Sequence, residues 1–227
     1  AAGNMEMQSN VVTTRYQAYL AAGVERWREY RDQLAPLQKK PVLFIMVNSN
    51  KDADAVGAWL RRKYPAEFGG DRLLVIHTDS TGEVTKKDLE VARRLAREVD
   101  EETSPTNCLV SVLMLREGWD VQNVTVVVGL RPYTSKANIL PEQTIGRGLR
   151  LMFRGLVTGY KERVDVIGTP KFIELVEDLE RDEGLELETF DLGKDKVRII
   201  TILPDPEKLD SDIAIPVLSP ILSRKKS

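Results

Sequence analysis

Arg147 and Arg150 stand one helical turn apart in the run Gln143-Thr-Ile-Gly-Arg-Gly-Leu-Arg150. At that i, i+3 spacing two guanidiniums project from the same face of a helix. Neighbouring guanidiniums repel unless an anion lies between them, and their forked N–H donors match phosphate oxygens bidentately. Gly146 and Gly148 flank Arg147, and each costs a helix interior about 1 kcal/mol relative to alanine. Close approach of another backbone or polymer is the usual compensation. The bland alternative is a pair of surface arginines held in salt bridges at a helix end. A second cluster, Leu115-Arg-Glu-Gly-Trp-Asp120, carries Gly118, which permits a sharp turn, and Asp120. That carboxylate could accept a ribose hydroxyl, or simply close an Asx turn.

Such residues need a scaffold that gathers loops at one edge, and the apolar pattern supplies it. Val42 to Val47, Leu73 to Ile76, Cys108 to Leu113 and Val124 to Val128 are short apolar runs, the pattern of strands buried on both faces. Helical patterns alternate with them, from about Lys51 to Tyr64, from Thr85 to Val99, and over a stretch carrying Gln143 to Leu151. The alternation predicts an α/β fold, a mostly parallel sheet with helices on both faces. Ligands of such sheets collect beyond the carboxyl ends of the strands. Polar segments follow each expected end: Asn48-Ser-Asn50, Thr78-Asp-Ser80, Leu115 to Asp120, and Arg131 to Lys136.

Three regions follow. Residues 1–37 read as a lead-in helix, with Tyr16, Tyr19, Leu20, Trp27, Tyr30 and Leu34 at spacings of three and four and Pro36 as its stop. Residues 38–160 hold the alternating strands and helices. Residues 161–227 read as a small α+β extension: a strand Val164 to Ile167, a helix Pro170 to Arg181, an antiparallel hairpin of Leu185 to Leu192 and Val197 to Leu203, and a Pro- and Asp-rich tail ending in Arg224-Lys-Lys226.

Composition bounds the chemistry. The 227 residues include 33 Lys+Arg and 35 Asp+Glu, for a net charge of −2. A balance that even excludes a polybasic DNA-coating protein but permits local cationic sites. One cysteine and one histidine leave no disulfide framework and no His/Cys zinc site, so no metal site is expected. No apolar run approaches the roughly 20 residues that span a bilayer, and no signal peptide begins the chain, so a cytoplasmic protein away from membranes is expected. His77 reads as hydrogen-bonded scaffold, Cys108 as a small buried hydrophobe, and Trp27 and Trp59 as packing residues. Trp119 would stack on a base or pack.

Leu113-Met-Leu-Arg-Glu-Gly-Trp-Asp-Val121 and Glu142-Gln-Thr-Ile-Gly-Arg-Gly-Leu-Arg150 resemble motifs V and VI of superfamily 2 helicases, most of all those of the type III restriction endonuclease Res subunit family. The resemblance covers Pro41 to Phe153 and extends weakly through Val164 to Leu179. It implies the C-terminal RecA-like (P-loop NTPase-type) lobe of a two-lobed, ATP-driven nucleic-acid motor. Arg147 and Arg150 would then be arginine fingers reaching the γ-phosphate across the cleft between lobes. Gln143, with Gly146, would link the nucleotide and nucleic-acid sides, and Gly118 and Asp120 would lie beside the ribose. Asn48 and Ser49 match the motif IV position that touches the nucleic-acid backbone. Thr78 and Ser111 are further phosphate-contact candidates, although Ser111 stands where many helicases open motif V with threonine. The implied cofactor is ATP with Mg, bound mainly by an N-terminal RecA-like lobe. That lobe, DNA (or RNA) and a modification or specificity subunit are the implied partners.

No Gly-x-x-x-x-Gly-Lys-Ser/Thr cradle occurs: the only Gly-Lys pair, Gly193-Lys194, is followed by Asp195. No Asp-Glu-x-His box accompanies it. The expectation is a piece of a motor, cut upstream of its second lobe, that hydrolyses no ATP alone. Asp205-Pro-Glu-Lys208 lacks an acid-x-lysine on a strand, and its prolines oppose one, so no nuclease site is expected. Two other readings stay open: a non-catalytic module that binds nucleic acid or a partner, and the nucleotide-sugar lobe of a two-domain glycosyltransferase, which shares the alternating architecture.

Overall fold

The structure, a computed structural model, describes residues 9–77, 98–99, 101, 103–112, 121, 123–130, 160, 162–183, 186–192 and 197–203. Seven strands are described: β1 (Val42–Met46), β2 (Leu73–Ile76), β3 (Cys108–Ser111), β4 (Val124–Gly129), β5 (Val164–Gly168), β6 (Glu186–Leu192) and β7 (Val197–Leu203). They form one sheet in the order β2-β3-β1-β4-β5-β7-β6. The first five in that order pair in parallel, and β7 and β6 continue the sheet antiparallel. β1 sits third, and its five residues are all buried, as an apolar run between two parallel neighbours requires. The fold is therefore α/β, with a mostly parallel sheet.

Side chains alternate between two cores. Leu43, Ile45, Val110, Val126, Val128 and Ile167 face one layer. That layer is built by α2 (Gln17–Leu34), which follows a short turn α1 (Val12–Arg15), and by α3 (Asn50–Lys63). Leu20, Val24, Trp27 and Leu34 are buried along α2, the spacing of one helical stripe. Trp27 also donates its indole N–H to the Pro41 carbonyl, 2.9 Å away, tying the helix to the approach to β1. A short helix α4 (Pro65–Phe68) closes this layer with Phe68 against Trp27, ring centroids 5.2 Å apart. Phe44, Met46, Leu109, Val127 and Val166 face the opposite layer, covered by Val99 and by Phe172, Ile173 and Val176 of α5 (Pro170–Glu183). Helices thus cover both faces.

The elements differ from the sequence pattern in a few places. The lead-in helix breaks at Tyr16 (φ −116°, ψ 23°), just past the β-branched run Val11-Val-Thr-Thr14, which loses rotamer freedom in a helix. The strand expected from Cys108 to Leu113 ends at Ser111. β4 pairs Val124 with Val42 but Val126 with Leu43, so Thr125 is an extra residue in the ladder. α2 packs on the central strands, and β5, β7 and β6 belong to the same sheet as β1 to β4. Residues 1–37 therefore share one core with the central strands, and residues 161–227 contribute to both cores. The helices expected over Thr85 to Val99 and Gln143 to Leu151, and the tail after Leu203, lie outside the described residues apart from Glu98 and Val99.

Candidate functional site

The strand order marks one place on the sheet edge. From β1 the chain runs to β2 on one side, whereas from β4 it runs to β5 on the other. β1 and β4 are hydrogen-bonded neighbours, so the connections leaving their carboxyl ends diverge there. In open α/β sheets that divergence opens the ligand crevice. Asn48 and Ser49 follow β1 directly, the segment holding Gly118 and Asp120 follows β3, and the segment holding Gln143, Gly146, Arg147 and Arg150 follows β4. Gly118, Asp120, Gln143, Gly146, Arg147, Arg150 and Thr78 themselves lie outside the described residues.

Among the described candidates, Asn48 is exposed at this edge. Ser49 is the N-cap of α3: its backbone is extended (φ −149°, ψ 160°) and its Oγ accepts the Asp52 N–H at 3.1 Å. The same hydroxyl donates to Asp52 Oδ2 at 2.8 Å, so it serves the cap. Ser111 ends β3 opposite Met46 and Ile76 and is completely buried. His77, just past β2, places Nε2 2.9 Å from Asp54 Oδ1 in the second turn of α3. This pair joins two of the edge connections and fits the scaffold role expected for His77.

Two glycines shape the floor of the edge beside β4 and β5. Gly129 and Gly168 are register partners at the ends of those strands. A Cβ on either would come within 2.4 Å of the fully buried Phe172 ring. The first turn of α5 therefore sits directly on bare backbone. Thr169, just before α5, donates its N–H to the Gly129 carbonyl at 3.1 Å, and its own carbonyl accepts from Phe172 and Ile173. Its hydroxyl oxygen is buried with no hydrogen-bond partner among the described residues. Sequence reasoning passed over this pair, although Gly at the end of two apolar strands is the signal of a close approach.

A buried ionic cluster lies toward the amino end of β5. Asp165 is completely buried; Arg26 of α2 binds its Oδ2, and the Thr201 hydroxyl of β7 donates to its Oδ1 at 2.5 Å. Burial alone would lower the Arg26 pKa, yet the hydrogen bond and charge of Asp165 hold it above the ordinary value. The Tyr30 ring lies 5.4 Å from the Arg26 guanidinium and 5.7 Å from that of Arg163. Burial, and then Asp165, push the Tyr30 phenol pKa up strongly, so it stays neutral. A lone aspartate inside the apolar run of β5 was the available signal for this cluster. Cys108 is likewise fully buried and its thiol pKa is raised by that burial, as expected of a small hydrophobe.

The shallow depression lined by Pro65, Gly69, Gly70, Asp71, Arg72 and Pro105 opens at the amino ends of β2 and β3, opposite the candidate edge. Among the described residues no group of His, Cys, Asp or Glu could hold a metal ion, and no helix is long and apolar enough to cross a membrane.

No family model matches the sequence, and no curated protein matches it. Among solved structures, the chain is similar to the S. cerevisiae Dbp5 C-terminal domain bound to Gle1 and IP6. The identity is 17% and the TM-score 0.40, over 71% of this chain and 80% of that one. Similarity at this level decides neither fold nor activity, and the α/β assignment rests on this chain's own strand order.

Proposed function

We propose that this chain is the C-terminal motor lobe of an ATP-dependent nucleic-acid helicase or translocase of the type III restriction enzyme kind. The observation that carries the reading is topological. In the sequence, Leu113 to Val121 and Glu142 to Arg150 come after β3 and β4, the two strands that flank β1, and an α/β sheet takes its ligand where connections such as those of β1 and β4 diverge.

In this reading Arg147 and Arg150 are delivered to the γ-phosphate of Mg-ATP held by an N-terminal lobe. Phosphoryl transfer depends mainly on positioning and charge neutralisation, so a cation arriving with lobe closure can govern the rate. Asp120 and Gly118 would lie by the ribose, with Gln143 and Gly146 joining nucleotide and nucleic-acid sides. Asn48 and Thr78 would touch the phosphate backbone of DNA. Ser49, occupied as a cap, and Ser111, enclosed in the sheet, would position the segments around them. Gripping by amides and hydroxyls suits a chain of net charge −2.

A sensitive ATPase assay on the isolated chain tests the division of labour: background hydrolysis is expected, and robust turnover overturns it. The second reading, a binding module without an ATP cycle, is favoured if the natural gene encodes no phosphate-cradle lysine upstream. The open reading frame decides between them, because a motor lobe requires that lysine upstream.

A further inference from the structure

We propose that Asp165, Thr201 and Arg26 fix the register in which the β6–β7 hairpin joins the parallel sheet. The need arises from the sequence of β7, Val197-Arg-Ile-Ile-Thr-Ile-Leu203. Ile199 faces one core and Ile200 the other, and both are completely buried. A slip of one residue would exchange the faces, but a slip of two preserves them. Apolar patterning is therefore a weak guard against the two-residue error.

The observed pairs are Val164 with Ile202, Asp165 with Thr201, Val166 with Ile200 and Ile167 with Ile199. Sliding β7 one way by two residues would set Arg198 opposite the buried Val166, which charge burial forbids. Sliding it the other way sets Ile202 opposite Val166, Thr201 opposite Ile167 and Leu203 opposite Asp165. Of these three the last carries the large penalty, to which Pro204, brought opposite Val164, adds the loss of a ladder donor. Asp165 would lose its hydroxyl donor while remaining completely buried, and a buried acceptor without a donor bears its full desolvation cost. Arg26, reaching across from α2, holds the other carboxylate oxygen and keeps the acceptor aimed at β7. β6 pairs with β7 from Glu186–Leu203 to Leu192–Val197, so the hairpin moves as a unit. Register at one pair decides the placement of both strands.

Cross-strand nuclear Overhauser contacts in the full chain read the register directly. Thr201→Val is nearly isosteric but removes the donor from the native pairing, leaving Asp165 Oδ1 without its hydroxyl partner in both registers. It is expected to add contacts between residues 166 and 202 to those between 166 and 200. Thr201→Ser, which keeps a hydroxyl, should show the native contacts alone. The triple variant Arg26→Met/Asp165→Leu/Thr201→Val should fold with both registers populated. A folded triple variant with a single native register overturns the proposal. Should the triple variant not fold, the single substitutions decide: identical behaviour of the Val and Ser variants overturns it equally.

Discussion

Adding one methyl at Gly129 tests how closely α5 seats on the carboxyl edge. Its Cβ would lie 2.4, 2.4 and 2.5 Å from three atoms of the Phe172 ring. Carbon atoms in packed interiors sit at roughly 3.5–4.0 Å, so the ring must retreat by about 1 Å. It has little room to do so. Phe172 is completely buried, and the neighbouring Gly168 is equally close, with its own would-be Cβ 2.4 Å from the same ring. Overpacking of this kind costs about 1–3 kcal/mol, and a displacement this large belongs at the upper end. Alanine recovers roughly 0.5–1 kcal/mol of backbone entropy relative to glycine, leaving a net loss of about 2 kcal/mol. For a chain of this size that lowers the melting temperature by about 4–8 °C. Urea unfolding of Gly129→Ala, with the slope checked for constancy, measures the loss. In a double-mutant cycle with Phe172→Leu, the two changes should compensate by about 1–3 kcal/mol, because the methyl fills space that the ring vacates. Stability within about 0.5 kcal/mol of the parent, or strict additivity in the cycle, refutes the close seating.

Three further outcomes follow from the described residues. Ser49→Ala should cost about 1 kcal/mol through loss of the α3 cap, whereas Ser49→Asp should retain most of it; chemical denaturation separates the two. Arg26→Met should cost about 3–5 kcal/mol, because it leaves the buried Asp165 charge without its cation, and calorimetry measures the loss. Alkaline stability should depend on Cys108. Its folded pKa is raised by burial above the ordinary 9.0, so below pH 9 both folded and unfolded thiols are protonated and the contribution is complete. Above pH 9 only the unfolded thiol ionises, which removes about 1.4 kcal/mol per pH unit until the folded pKa is reached. Cys108→Val should flatten unfolding free energy between pH 9 and 10; an unchanged slope there contradicts the assignment.

The sheet was legible because its strands are apolar on both faces. Val42 to Met46 and Val124 to Val128 admit no other placement than the centre of a covered sheet. The β6–β7 hairpin was legible from alternation broken by Gly193-Lys-Asp195. Less legible were contacts between residues far apart in sequence. Nothing local in Arg26 announces Asp165, 139 residues on. Phe172 reads as one more apolar helix position until Gly129 and Gly168 meet beneath it. The joining of residues 164–203 to the main sheet was also hidden, because strand pairing depends on topology that period and composition do not encode. Of the candidate site, motif spacing supplied positions in the sequence alone. The strand order adds that the strands those segments follow, β3 and β4, flank β1.

The most direct test of the proposed motor lobe is single-turnover ATP hydrolysis by the intact two-lobed protein carrying Arg147→Ala or Arg150→Ala. The motor reading predicts a fall in the hydrolysis rate of about 10³-fold or more for a lost arginine finger, with ATP affinity and unfolding midpoint essentially unchanged. Parental hydrolysis rates in both variants would contradict it.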